Sequence, residues 1–253
     1  DLTEDKWKIH TSFKLWAARW TELSFFGAYM PFNDWTLMGG PAVSLSKGDH
    51  ALSLSLLAPA EDWSQTDCSL PLEGSTIEAS TDGSNDYYLG DIRYHTSASD
   101  NLSWFVGYKI GFNSWKDRVT NDAVVNGEHD KPIFEEEGNE LSHGPIFGSN
   151  ISFPFETAGL PLAIWGSVAY GPLMMVHEEV DVWFPANPHG TPFIESSSTS
   201  FDNWYINSEV GVRSNITENF SFNLGYRNDI WGYLDEGPWV SIGGPSLTFS
   251  YNW

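Results

Sequence analysis

The chain has 253 residues, of which 41% are hydrophobic, 15% aromatic and 18% charged. No apolar run approaches the roughly 18 residues that a membrane-spanning helix needs, which excludes a helical membrane protein. The 34 acidic residues outnumber the 12 basic ones, and the net charge of -22 argues against nucleic-acid binding. No Pro- or Ser-rich linker divides the sequence, so residues 1–253 are expected to form a single domain.

Alternating apolar and polar residues, the pattern of a β-strand, begin near the amino terminus and recur along the chain. Residues 52–56, for example, alternate Leu with Ser. In the seventh segment Met174 is predicted to share the apolar face with Leu162, and in the last the sequence Gly243-Gly244-Pro245 suggests a bulge. In chain order the predicted strands cover about residues 7–17, 35–46, 52–56, 88–95, 102–112, 147–155, 162–174, 204–213, 220–229 and the C-terminal segment.

The last seven residues alternate large apolar with small polar side chains and end on an aromatic residue. In a soluble protein they would form an exposed, sticky edge strand, whereas the closing strand of a membrane barrel presents such a face to lipid. The pattern resembles the C-terminal signal of bacterial outer-membrane proteins, with Trp in place of the usual terminal Phe. The resemblance implies recognition by the barrel assembly machinery through Leu247, Phe249, Tyr251 and Trp253.

Short breaks near residues 47, 98, 158 and 216 alternate with long connections at about 20–35, 61–86, 113–140, 177–202 and 233–238. Outer-membrane barrels sort their connections in this way, with short turns at one end and long loops at the other. The sequence therefore predicts an all-β fold, a ten-stranded antiparallel transmembrane β-barrel with long acidic extracellular loops and periplasmic termini. The rival is a secreted β-sandwich that binds or cleaves sugar through Trp63, Trp115, Trp183 and a Glu pair.

Acidic residues concentrate in the long connections, which hold 24 of the 34 carboxylates but only Lys116, Arg118 and Lys131 of the basic residues. Such a rim either forms a solvated coat or attracts a cationic peptide or protein. No cofactor is implied, although one acidic run is a weak candidate for Ca2+ because it lacks the spaced ligands and turn Gly of a calcium loop. The candidate residues for a cation or partner are Asp130, Glu135, Glu136, Glu137 and Glu140.

The polar faces of the predicted strands carry a mixed and slightly basic set of charges. Inside a barrel these side chains must pair or be hydrated. They either fill the interior or line a polar path for a small solute, and ten strands leave too little space for a wide pore. The predicted lumen-lining residues are Lys8, His10, Lys14, Asp91, Arg93, His95, Lys109, Glu209, Arg213, Arg227 and Asp229.

The ten-strand layout is similar to that of the omptins, outer-membrane endopeptidases with an active site in a groove between loops at the barrel top. The short stretches at residues 19–24, 33–38 and 61–63 also look omptin-like. In that family an Asp pair in the second loop and an Asp-His pair in the fourth activate a water that attacks the peptide carbonyl of a basic substrate.

Carried over by position, the omptin catalytic pattern is incomplete in this sequence. Asp62 matches the second Asp of the pair, but Ala60 stands where the first should be. His177, with Glu179 and Asp181, offers a base and carboxylates in the fourth loop, although not in the Asp-x-His order. The resemblance thus implies a divergent endopeptidase as the alternative to a non-enzymatic role in solute passage or in binding a cationic ligand.

Overall fold

The computed structural model describes residues 6–22, 35–60, 68–72, 75–121, 131–157, 160–185, 193–234 and 239–253. Regular structure in these residues is β-strand, and they include no helix long and apolar enough to cross a membrane. The strands are β1 (Lys8–Glu22), β2 (Trp35–Lys47), β3 (His50–Pro59), β4 (Cys68–Leu72), β5 (Ser75–Ser99), β6 (Leu102–Asn121), β7 (Lys131–Thr157), β8 (Leu160–Phe184), β9 (Phe193–Asn215), β10 (Phe220–Tyr233) and β11 (Trp239–Asn252).

Ten of these strands close into one antiparallel barrel. Neighbouring strands pair in the order β3, β2, β1, β11, β10, β9, β8, β7, β6 and β5, and a further pairing of β3 with β5 joins the two ends of the sheet. The C-terminal strand seals against the first one, with Leu247 opposite Leu15 and Phe249 opposite Phe13. The predicted ten-stranded barrel is therefore confirmed, and the sandwich interpretation is wrong.

The connections are sorted by length between the two ends of the barrel. At one end, called the turn end below, pairs of strands are separated by two residues at 48–49, 100–101 and 158–159 and by four at 216–219. The start of β1 and the end of β11 both lie at this end. The longer connections lie at the opposite end, called the loop end.

Apolar side chains cover the outer face of the barrel. Leu52, Leu54 and Leu56 of β3 are all exposed, as are Val106 and Ile110 of β6. A closed barrel with a continuous apolar exterior and aromatic residues at both edges has the surface that meets lipid in membrane barrels. The exposed aromatic residues include Tyr94, Trp104 and Trp253 toward the turn end and Trp35, Tyr88 and Phe112 toward the loop end.

A layer of buried side chains closes the barrel interior near its loop end. Each of the ten barrel strands contributes at least one inward residue with almost no exposed surface, so the cross-section is filled. The rings of Tyr87 and Tyr205 both contact Trp231, with centroids 5.6 and 5.3 Å away. This layer, called the floor below, also contains Trp16, Met38, Leu57, Leu89, Ile146, Met174 and Ile242.

Two of the predicted long loops are largely strand. Within 113–140, β6 continues to Asn121 and β7 begins at Lys131, and within 177–202, β8 continues to Phe184 and β9 begins at Phe193. These extensions lie beyond the continuous apolar outer face of the barrel and carry many charged side chains, so the predicted strands end before them. An additional strand that the sequence analysis does not predict, β4, pairs with the start of β5.

The predicted bulge at Gly243-Gly244-Pro245 is wrong, because the register of β11 against β1 and β10 is the same on both sides of these residues. A Cβ at Gly244 would lie 1.8 Å from the carbonyl oxygen of Ala17, so glycine allows close strand contact there. A real irregularity interrupts β8 instead, between Gly171 and Met174. It shifts the inward face by one residue, which buries Met174 in the floor rather than on the predicted outer face.

The barrel wall is much higher on one side than on the other. Strands β5 to β9 have 20 to 27 residues each, whereas β1, β2, β3, β10 and β11 have 10 to 15. A strand needs only about 9 to 11 residues to cross a bilayer. The five long strands, called the tall wall below, therefore extend well past the apolar belt at the loop end.

Candidate functional site

The predicted lumen charges lie on inward positions of the barrel strands, between the turn end and the floor. His10, Lys14, Asp91, Arg93, His95, Glu209, Arg213 and Arg227 line one cavity of about 520 Å3. Lys109 and Asp229 are more deeply enclosed, with 1% and 0% of their surfaces exposed. Lys8 is exposed at the start of β1.

Three ion pairs dominate this interior. Lys14 Nζ lies 2.6 Å from Glu209 Oε2, Arg93 Nε lies 2.9 Å from Asp91 Oδ1, and Arg227 Nη2 lies 2.8 Å from Asp229 Oδ2. Asp229 also accepts hydrogen bonds from Tyr205 Oη and Asn207 Nδ2. Charges taken out of water need such partners, since an unpaired one carries a large desolvation cost. The floor and these pairs leave no open channel through the described interior, so solute passage gains no support from the geometry.

A second group of charges lies on the inner face of the tall wall, beyond the floor. Asp117 of β6 and Glu136 of β7 are directly opposite each other across the strand pair. Glu178 of β8 also occupies an inward position, since its cross-strand neighbour is the inward Glu140 and it lies two residues beyond the buried Val176. Asp117, Glu136 and Glu178 are called the inner acidic surface below. None of the three forms an ion pair with a described cation.

Electrostatics make this surface unusual among the described carboxylates. Burial, with a smaller contribution from the neighbouring Glu136, raises the pKa of Asp117 to about 6. The same two causes raise the pKa of Glu178. Both shifts mean that the ionised carboxylates destabilise the wall when nothing cationic is bound, because burial and like charge both oppose ionisation. A positive charge placed near these carboxylates would favour their ionised forms.

Aromatic and amide groups adjoin the inner acidic surface. Trp115 Nε1 donates a hydrogen bond of 2.9 Å to Glu136 Oε1, and its ring lies over Gly138, where a Cβ would come within 2.2 Å of it. Asn113, which is 7% exposed, lies between Tyr87 and Glu140 in the strand register, and its Oδ1 has no hydrogen-bond partner. A buried amide oxygen without a donor favours a ligand that brings one.

Two carboxylates on the outer face of the tall wall are paired with cations. Lys116 Nζ lies 3.3 Å from Glu137 Oε2, and Arg118 Nε lies 3.3 Å from Glu135 Oε1. The predicted acidic run 135–137 is therefore split between the two faces of β7, with Glu136 inward and its neighbours outward. Within the described residues no group of His, Cys, Asp and Glu is placed to hold a metal ion. Asp130, the remaining member of that predicted set, lies outside the described residues.

The predicted catalytic residues of the fourth loop lie on the outer face of the wall. His177, Glu179 and Asp181 alternate with the inward Glu178, and His177 is opposite the exposed Leu141. The His177 ring lies 3.5 Å from Glu179 Oε1 and 3.0 Å from Ser200 Oγ, and the side chain is 52% exposed. Asp62 and Trp63 lie outside the described residues. These outward positions do not provide the His-carboxylate pair that a groove-facing site requires.

Sequence reasoning missed Asn113, Asp117 and Glu178. The alternation that places Lys109 inside the barrel continues through Asn113 to Asp117, so the signal was present beyond the last apolar residue of the strand. Trp115 was noticed only as a sugar-binding residue together with Trp183. The structure separates the two, with Trp115 on the inner face and Trp183 opposite the outward Glu135.

Comparisons with known proteins identify the architecture. No protein-family model and no curated protein sequence matches the chain. Among solved structures, the outer membrane protease OmpT from Escherichia coli superposes with a TM-score of 0.61 at 11% identity, covering 99% of this chain and 98% of that one. The fold is that of an outer-membrane β-barrel.

Two further structures match with lower scores. The toluene transporter TodX from Pseudomonas putida gives a TM-score of 0.38 at 7% identity and covers 98% of this chain and 90% of its own. The attachment invasion locus protein Ail of Yersinia pestis gives 0.28 at 11% identity, with 97% of this chain and 98% of that chain covered. Because the identities are so low, the likeness to OmpT establishes this barrel's fold and leaves its activity to be argued from its own residues.

Proposed function

We propose that the chain spans a bacterial outer membrane and that its inner acidic surface binds a cationic peptide or protein segment. The membrane location is supported by the continuous apolar exterior, the aromatic edges and the sealed β1–β11 pairing. The loop end is placed outside the cell in this proposal, with both termini in the periplasm. The C-terminal strand, with Phe249, Tyr251 and Trp253 exposed, would be read by the assembly machinery.

The observation that carries the binding proposal is the set of three partly enclosed carboxylates on the inner face of the wall. Asp117, Glu136 and Glu178 form no ion pair with a described cation, and burial and like charge raise the pKa values of Asp117 and Glu178. On the outer face Glu135 and Glu137 are paired with Arg118 and Lys116, and Asp181 and Asp202, which have no such partner among the described residues, are exposed to solvent. Lys or Arg side chains of a ligand would relieve this repulsion.

The ligand class follows from the groups around the carboxylates. A guanidinium or ammonium group can bind the carboxylates and also stack on the ring of Trp115, and a ligand N–H group can bind the free oxygen of Asn113. A peptide with spaced basic residues offers all three contacts. A metal ion would not use the ring, and the described residues hold no metal-binding group.

The test is the affinity of a fluorescent Arg-rich peptide for the purified barrel in non-ionic detergent. We expect the double variant Glu136→Gln with Glu178→Gln to lose at least about tenfold in affinity, since each charged hydrogen bond contributes roughly 1.5 kcal/mol or more. The matched control is Glu137→Gln with Glu179→Gln, which removes the same charge one residue away on the outer face. The parent affinity should also fall as salt is raised.

Equal losses of peptide affinity in the two double variants would show that the effect comes from net charge alone. That result would refute the inner acidic surface as the binding site. Mass spectrometry of the same incubations tests the endopeptidase alternative, for which the outward His177 gives no structural support. Peptide that stays intact while bound is the expected result. Cleavage that survives in the His177→Ala variant would require a catalytic site elsewhere in the chain.

A further inference from the structure

A separate polar cavity opens at the turn end of the barrel, on the far side of the floor from the inner acidic surface. Its volume is about 520 Å3, and its lining runs from Arg227 to the turn residues Asp100 and Asn101. A second cavity of about 430 Å3 adjoins it and shares His10 and His95 as lining residues. This size is within the range of sites that bind metabolite-sized molecules.

The charges around this cavity do not balance. Asp91, Glu209 and Asp229, the inward carboxylates of the described belt region, are each used by one cation, namely Arg93, Lys14 and Arg227. Two further inward cations, Lys109 and Arg213, remain without a carboxylate within 4.0 Å among the described residues. Because Asp100 also lines the cavity, its wall holds the four cations Lys14, Arg93, Arg213 and Arg227 against three carboxylates, an excess of one positive charge, although the whole chain carries -22. Enclosed charges without counter-charges are costly, so a bound anion would be stabilising.

Arg213 is the cation with access to the cavity. Its Nε donates a hydrogen bond of 2.8 Å to Asn223 Oδ1, which holds the guanidinium on the inner wall. Among the described residues the side chain forms no other hydrogen bond, so the two Nη groups remain as donors. A guanidinium fixed in this way is suited to bind two oxygens of one oxyanion.

The neighbouring groups are also donors without acceptors. Trp165 Nε1 and Ser167 Oγ belong to residues that line the cavity, and neither atom has a hydrogen-bond partner. Both lie on β8 beside Arg213, which is opposite Ala163 in the same strand pair. Deeper in the interior, Lys109 Nζ lacks an acceptor and lies 4.7 Å from the centroid of the Tyr205 ring. Donor excess and positive charge thus coincide in one part of the barrel.

We propose that the turn-end cavity binds a small soluble molecule through a phosphate monoester group, with Arg213 as its anchor. A phosphate monoester brings negative charge to Arg213, which has no carboxylate within 4.0 Å among the described residues, and its oxygens accept several hydrogen bonds at once. The cavity is much larger than a phosphate ion, and its Ser- and Asn-rich wall would contact the polar remainder of the ligand. This site is independent of the cationic ligand proposed for the loop end.

The test uses calorimetric titration of the full chain in non-ionic detergent with inorganic phosphate, glucose 6-phosphate and glucose. We expect saturable binding of the two phosphates, tighter for glucose 6-phosphate, and none for glucose. Arg213→Gln should weaken phosphate binding at least tenfold, while Arg118→Gln, which removes an exposed guanidinium on the outer wall, should leave it unchanged. Heat-modifiable migration on a gel checks that each variant is a folded barrel.

A second variant protects the test against a folding defect in Arg213→Gln. Asn223→Asp places a carboxylate at the acceptor position beside Arg213 with almost no change in volume, and it should abolish binding by neutralising the anchor. Absence of saturable phosphate binding by the parent, or unchanged binding in both variants, would overturn the proposal. Displacement of glucose 6-phosphate by a short-chain phosphatidylglycerol would also overturn it, because the ligand would then be a lipid headgroup.

Discussion

Carboxylates at the two ends of the barrel interior differ in whether they form ion pairs. Between the turn end and the floor, each inward carboxylate of the belt has a cation within 3 Å, as Asp229 has Arg227. Beyond the floor, Asp117, Glu136 and Glu178 face inward with no such partner in the part of the chain that the structure describes. The difference follows the solvent, because an unpaired carboxylate costs less free energy where water reaches the wall than inside the membrane-spanning part of the barrel. Unpaired charge at the loop end is therefore available to a ligand.

The largest expected effect comes from breaking a pair inside the belt. Asp229→Asn leaves Arg227 buried without its counter-charge and weakens the bonds from Tyr205 and Asn207. We expect the free energy of unfolding to fall by about 3 to 5 kcal/mol. Urea unfolding in detergent, followed by gel migration, measures it. Glu137→Gln breaks an exposed pair and should cost no more than about 1 kcal/mol; equal effects would contradict the comparison.

At the loop end, by contrast, removing a carboxylate is expected to increase the free energy of unfolding. Asp117→Asn removes a carboxylate whose ionisation is opposed by burial and by Glu136, so the free energy of unfolding at pH 7 should rise, by roughly 1 kcal/mol after allowance for partial exposure. The same variant should bind the Arg-rich peptide several-fold more weakly. Urea unfolding and peptide titration on one preparation give both results, and a loss of stability would show that the carboxylate has a partner in the folded wall.

The smallest expected effect is a pH dependence of peptide binding. The pKa of Asp117 in the folded wall, about 6, is above its ordinary value. Its ionised form therefore destabilises the wall above pH 6, and this cost disappears as the pH falls through 6 toward the ordinary value. Between pH 7 and pH 5 the wall should become more stable and peptide affinity should drop a few-fold. In Asp117→Asn the part of the drop centred near pH 6 should be absent.

The belt could be read from the sequence, and the tall wall could not. Alternation in residues such as 52–56 exists because one face meets lipid and the other meets the interior, so the pattern directly reports the strand. Beyond the apolar outer face, β7 has Glu on both of its faces, at positions 135, 136 and 137. The residue type therefore does not distinguish an inward Glu from an outward one. The pairing of β7 with β6 and β8 determines which of its residues face inward. This pairing joins residues that are far apart in the sequence, so local residue types do not report it.

The face on which the fourth-loop residues lie could not be read from the sequence for a related reason. On the inward side of β8, Ala169 and Gly171 have odd numbers, whereas Met174, Val176 and Glu178 have even ones. Simple alternation from Ala169 would have placed His177 inside. The irregularity between Gly171 and Met174 places His177 on the outer face instead. Pro172, which lies within it and lacks an N–H donor, is the local sequence feature that indicates it.

That irregularity makes the chemistry of the wall depend on where a residue is gained or lost. Pro172 and Leu173 both face outward between the inward Gly171 and Met174, so deleting one of them would remove the irregularity and leave every face above it unchanged. Deleting Met175, above the irregularity, would instead make His177, Glu179 and Asp181 exchange faces with Glu178. An imidazole with two acidic neighbours would then line the inner face of the tall wall, so a one-residue deletion at that point can convert a binding surface into a different one without any substitution.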